Sequence, residues 1–140
     1  MKKILIPLFI AAVGCLFLLA YAGNGKLATA QMDPKAELMK SVERGKVLFM
    51  DATLGTSGMS CNSCHPEGGT KEGKMGEKTI MPFDNLAAKY PKYITSAKRV
   101  MTLDQMINWC IVKAMKGEAL AWDSQKLTDL TAYVASVKAK

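Results

Sequence analysis

Apolar residues recur at helical spacing over most of this 140-residue chain. From Ile4 to Leu19 they form an almost unbroken run, preceded by Lys2 and Lys3 and followed by Ala20-Tyr21-Ala22. That order of charged, apolar and small-x-small segments is the pattern of a secretory signal. Residues 1–22 are therefore expected to be a signal peptide cut after Ala22, with Ala28-Thr29-Ala30 the second choice of site. An uncleaved anchor is the alternative, because the run approaches the ~20 residues that span a bilayer. Residues 23–32 are small and polar and read as a flexible tether, which leaves residues 33–140 as the single working domain.

Within that domain the pattern predicts three or four short helices. Asp33-Pro34 opens the first, with Asp33 as N-cap and Pro34 at the first helical position. Leu38, Val42, Gly45 and Phe49 then fall on one face. Residues 55–79 hold six glycines and almost no large apolar side chain, as expected of a loop wrapped around something other than a hydrophobic core. Thr102, with Gln105 as reciprocal cap, starts a helix whose stripe is Leu103, Met106, Cys110 and Ala114, and Gly117 is placed to end it. A last helix from about Ser124 buries Leu127, Leu130, Val134 and Val137. No segment alternates as a strand should, so the expected class is all-α. So small an apolar core would be marginal alone, which suggests that a prosthetic group completes it.

Composition narrows the chemistry. The chain carries a formal net charge of +7, which suits an acidic partner. Its lysines are scattered, without a basic helix face or interleaved aromatics, so no nucleic-acid partner is expected. A single histidine and four cysteines exclude three-His zinc sites and bis-His haem, and Cys15 leaves with the signal. What remains is Cys61-Asn62-Ser63-Cys64-His65, the C-x-x-C-H sequence of c-type haem attachment. Two thiols three positions apart reach the two vinyl groups of one porphyrin, and the next side chain lies under the iron. Cys61 and Cys64 are thus expected to hold one covalent haem c, with His65 as an axial ligand. Zinc held by Cys61, Cys64, His65 and Cys110 is a weaker alternative, as are a redox-active dithiol and a structural disulfide.

Gly45-Lys46-x-x-Phe49 and Leu130-Thr131-Ala132-Tyr133 resemble the first and last helices of class I cytochromes c. The resemblance implies that these helices cross closely at Gly45, beside Phe49 and Tyr133. It also implies that the carbonyl of Pro82 accepts the ring N–H of His65, a bond that fixes the imidazole. In that family a methionine before the last helix ligates the iron, yet no Met or His lies between Lys116 and Lys140. Cys110 is the leading candidate for the sixth ligand and Met115 the fallback, with an open position as the third option. Five residues apart on a helix, these two side chains point about 140° apart, so only one of them can face the haem.

A second resemblance bears on that choice. Tyr90-Pro91-x-Tyr93, Ile107-Asn108-x-Cys110, Met115-Lys116-Gly117 and Ala132-Tyr133 are similar to a haem domain of thiosulfate dehydrogenases and of the A subunit of the Sox complex. There the cysteine of Ile-Asn-x-Cys is the distal ligand, which implies Cys110 here. Two features depart from the pattern: a single haem motif, and Met106 where an arginine is usual. The functional expectation is a periplasmic one-electron carrier, not itself an enzyme and not membrane-bound after cleavage. His/Cys ligation gives it a low potential, because anionic sulfur disfavours the ferrous state. Its partner is expected to be an acidic redox protein. The alternatives are a haem subunit of a sulfur-oxidising enzyme, paired with another cytochrome, and an NO- or CO-binding haem protein.

Overall fold

The structure is a computed structural model in which residues 32–139 are described. The expected signal peptide, and all of the tether except Met32, lie outside the described residues. Helix α1 (Pro34–Met50) begins as its cap dictates, with Asp33 Oδ1 accepting the Lys35 N–H at 3.0 Å. Its buried positions are Ser41, Gly45 and Phe49, whereas Leu38 is 59% exposed. The stripe is set by what it packs on, helix α6 (Gln125–Ser136). The two helices cross at Gly45, where any Cβ would strike the Asp129 carbonyl and lie 2.7 Å from Tyr133 Cβ. Ser41 displaces Leu38 from the interface because the buried Asp129 carboxylate needs donors. It accepts from Ser41 Oγ (2.6 Å), Arg44 Nε (2.7 Å), Arg44 Nη2 (2.9 Å) and Gln125 Nε2 (2.8 Å).

Helix α5 (Leu103–Lys113) carries the reciprocal cap expected of Thr102 and Gln105. It has two apolar faces. Ile107 and Ile111, with Met115 just past the end, join Leu127, Leu130 and Val134 of α6 in the core. The stripe expected to be buried, Leu103, Met106, Cys110 and Ala114, is only half-buried. Nor does Gly117 supply the left-handed residue after this helix: Lys116 does, at φ 59°. Gly117 serves close approach instead, since a side chain there would strike the Leu54 carbonyl, and one at Gly55 would strike that of Met115. Ser57 N–H donates to Met115 O at 3.0 Å along the same seam.

Between α1 and α5 lie a 3-10 turn (Ala52–Leu54), α2 (Cys61–Cys64), α3 (Pro66–Gly69) and α4 (Leu86–Lys89). Two antiparallel hairpins correct the all-α expectation: β1 (Gly73–Met75) with β2 (Lys78–Ile80), and β3 (Lys92–Ile94) with β4 (Arg99–Met101). Three-residue strands are too short to display an alternation. The first hairpin closes through Gly76-Glu77, with Gly76 at φ 61° in the first turn position, where a two-residue hairpin favours glycine. In the second, Tyr93 pairs with Val100 and Lys92 with Met101, whose side chain is fully buried. The domain is thus mostly helical with a few small strands. Among the described residues no helix is long and apolar enough to cross a membrane.

Candidate haem-attachment site

The C-x-x-C-H segment forms one helical turn. Ser60 N–H donates to Ser63 Oγ at 3.0 Å at its start, and His65 N–H donates to Cys61 O at 3.0 Å at its end. A turn of helix sets residues three apart on one side, so Cys61 and Cys64 are neighbours. A side chain at Gly73 would collide with the Cys64 carbonyl, so β1 seals the turn from behind. All three described cysteines are free thiols and half-buried. Among the described residues no three His, Cys, Asp or Glu side chains converge as metal-ion ligands.

His65 follows at the helix end, its ring against Phe83 with centroids 4.4 Å apart. Burial lowers its pKa, keeping the imidazole neutral and its nitrogen available as a ligand. Nδ1 is buried with no hydrogen-bond partner. The bond expected from His65 to the Pro82 carbonyl is therefore not made. The backbone of the next residue is tied elsewhere: Phe83 N–H donates to Gly69 O, and Phe83 O accepts from Ala139 N–H, both at 2.7 Å. Phe83, which the sequence reading passed over, is the residue that confines the imidazole. Two further residues hold the chain beyond His65. Asn62 Oδ1 accepts the Gly68 N–H at 2.9 Å, and Tyr133 OH donates to Gly68 O at 3.0 Å.

Cys110 lies in the same neighbourhood as the attachment cysteines. Burial pushes its thiol up to about 11, with Cys64 adding to the effect. Burial, then Cys110, then Cys64 push Cys61 up to about 12. Tyr90 is raised by burial and by the same Cys110. Met115, the fallback ligand, is 2% exposed and packed in the protein core, while Met106 stays on the half-buried stripe. Unpaired thiols and an imidazole whose buried nitrogen no protein group claims, beside a half-covered apolar stripe, fit a large flat apolar group that bonds to sulfur and nitrogen.

A helical domain closed by crossed terminal helices, with a C-x-x-C-H turn beside them, defines a class I c-type cytochrome. Residues 44–139 match the SoxA/TsdA cytochrome c domain family, and the chain belongs to it. The cofactor this family implies is covalently bound haem c. The chain is 30% identical over 112 residues to the thiosulfate dehydrogenase of Allochromatium vinosum, covering 76% of this chain and 40% of that protein. It is 34% identical over 99 residues to the L-cysteine S-thiosulfotransferase subunit SoxA of Rhodovulum sulfidophilum, covering 71% and 30%. To the SoxA subunit of Pseudaminobacter salicylatoxidans it is 31% identical over 96 residues, covering 69% and 29%. The chain thus spans well under half the length of these relatives. Their names are those of enzymes, which corrects the expectation of an electron carrier that is not itself an enzyme: the relatives that share this haem domain are enzymes or enzyme subunits.

Proposed function

We propose that the chain is the haem-bearing part of an exported enzyme that oxidises inorganic sulfur compounds such as thiosulfate, acting in the periplasm. Cys61 and Cys64 would form the thioethers, and His65 and Cys110 would ligate the iron. Bound there, haem supplies one-electron chemistry at iron. The observation that carries the ligand assignment is the division of labour on α5. Cys110 sits on the half-buried stripe of α5, within electrostatic reach of Cys61 and Cys64, while Met115 is packed in the core. An anionic sulfur from Cys110 offsets ferric charge and holds the potential low.

Electron counting supports a partner. Joining two thiosulfates through a new S–S bond releases two electrons, and a single haem accepts one at a time. The second electron must therefore go to another oxidised centre, such as a second haem on a partner protein. Charge suggests where an acidic partner docks. Residues 85–103 contain Lys89, Lys92, Lys98 and Arg99 and no carboxylate, and among the described residues only Lys89 of these has a carboxylate partner, Asp84. The β3–β4 hairpin they surround turns Tyr93 and Val100, each 61% exposed, outward.

Electron paramagnetic resonance of the oxidised protein tests the ligand: wild type gives a narrow low-spin thiolate signal that Cys110→Ala abolishes. An identical signal in the variant would return the position to a methionine. For the activity, thiosulfate oxidation is expected from the chain with its partner and from neither alone; the absence of any sulfur-dependent reduction of the haem would refute it.

A further inference from the structure

Asn108 is 3% exposed, and its side-chain amide binds one distant peptide group from both ends. Nδ2 donates to Leu120 O at 2.9 Å, and Oδ1 accepts the Leu120 N–H at 2.8 Å. We propose that Asn108 is the positioning residue for Cys110: its amide straps segment 114–120 along the back of α5 and so fixes where the Cys110 sulfur is presented. The inference rests on the ligand assignment above.

The staple closes a ring of chain that contains Cys110. After α5 the backbone turns back through Ala114 and Met115, whose N–H groups both donate to Cys110 O, at 2.9 and 3.2 Å. Gly117 N–H then donates to Ile111 O at 3.0 Å, and Leu120 reaches Asn108 one turn further up the helix. Two residues apart on a helix, Asn108 and Cys110 face opposite ways, about 200° around the axis. One is buried against the returning strap and the other is half-buried on the open stripe. The strap is seated on its own account: Leu120 packs on the core, and Gly117 abuts Leu54 and Gly55. A buried amide that matches a single peptide group specifies one register of the strap, where an apolar side chain would tolerate several. Releasing the staple lets α5 shift relative to the C-x-x-C-H turn. The sulfur would then become exchangeable.

The test compares haem-loaded wild type with Asn108→Ala and with Asn108→Asp, which keeps the acceptor for Leu120 N–H and loses the donor. Ser41→Ala, which cuts a buried hydrogen bond remote from α5, serves as the stability control. Three readouts are taken: paramagnetic resonance of the ferric state, CO binding to the ferrous state, and the thermal midpoint. The expected result for Asn108→Ala is a heterogeneous thiolate signal and CO binding faster by about tenfold, as the fraction with displaced sulfur grows. Asn108→Asp should fall between it and wild type, and Ser41→Ala should lower the midpoint without changing either haem readout. A variant that loses stability yet keeps the wild-type signal and CO rate overturns the positioning role alone. A wild type without any thiolate signal overturns the ligand assignment, and this inference with it.

Discussion

Asp129 is the one carboxylate that α6 buries against α1, and its four donors hold its pKa down to about 2, Arg44 first among them. A carboxylate depressed from 3.8 stabilises the fold fully above about pH 4, and that contribution fades as pH falls toward 2. Asp129→Asn should therefore lower stability at neutral pH by about 2 kcal/mol and flatten the acid-unfolding curve between those limits. Chemical unfolding at several pH values measures both; equal slopes in variant and wild type would refute the pairing. Arg44 is itself half in water, but removing it would strip the buried Asp129 carboxylate of its principal donor. None of this was visible in the sequence, because Ser41 and Arg44 lie 88 and 85 residues from their acceptor. Asn108 escaped notice for a related reason: its partner is a backbone group, which no residue pattern records. The C-x-x-C-H motif was legible because its chemistry is local. The proposal of Cys110 as sixth ligand rests on no such local pattern, but on the absence of Met and His after Lys116 and on the resemblance at Ile107-Asn108-x-Cys110.

The three main helices could be read from their caps and spacing, since Asp33, Thr102 and Ser124 each accept or anchor the first turn as their chemistry requires. Their faces were harder. On α1 the buried stripe moved from Leu38 to Ser41, and on α5 the visible stripe proved to be the half-covered one, with Ile107 and Ile111 in the core. A single chain does not reveal which of two apolar faces meets protein and which is left for a cofactor. The crossing of α1 and α6 depends on Gly45, because backbone and Tyr133 leave no room for a Cβ. Gly45→Val should cost about 3 kcal/mol, near the upper end for overpacking, and lower the thermal midpoint accordingly. A midpoint within a degree or two of wild type would mean that the helices do not approach as described. The hairpins, by contrast, left no readable trace beyond Gly76.

For the molecule as a whole, the uneven distribution of charge matters more than the net +7. Acidic and basic residues alternate through most of the domain, but the stretch around β3 and β4 is purely cationic. The double variant Lys92→Glu/Arg99→Glu should slow oxidation of the reduced protein by anionic hexacyanoferrate(III) by about tenfold at low salt. The effect should vanish as salt approaches 1 M, where the Debye length is only about 3 Å. A rate unchanged by the double variant would remove the hairpin from the electron path. The expectation of an electron carrier that is not itself an enzyme failed at this scale too, since composition says nothing of the larger proteins in which relatives of this domain occur. The central claim, iron held between His65 and Cys110, is tested most directly by X-ray absorption at the iron edge of the oxidised protein. It predicts one sulfur beside the porphyrin and imidazole nitrogens in wild type, and none in Cys110→Ala. Sulfur scattering that persists in the variant, or is missing from wild type, would contradict it.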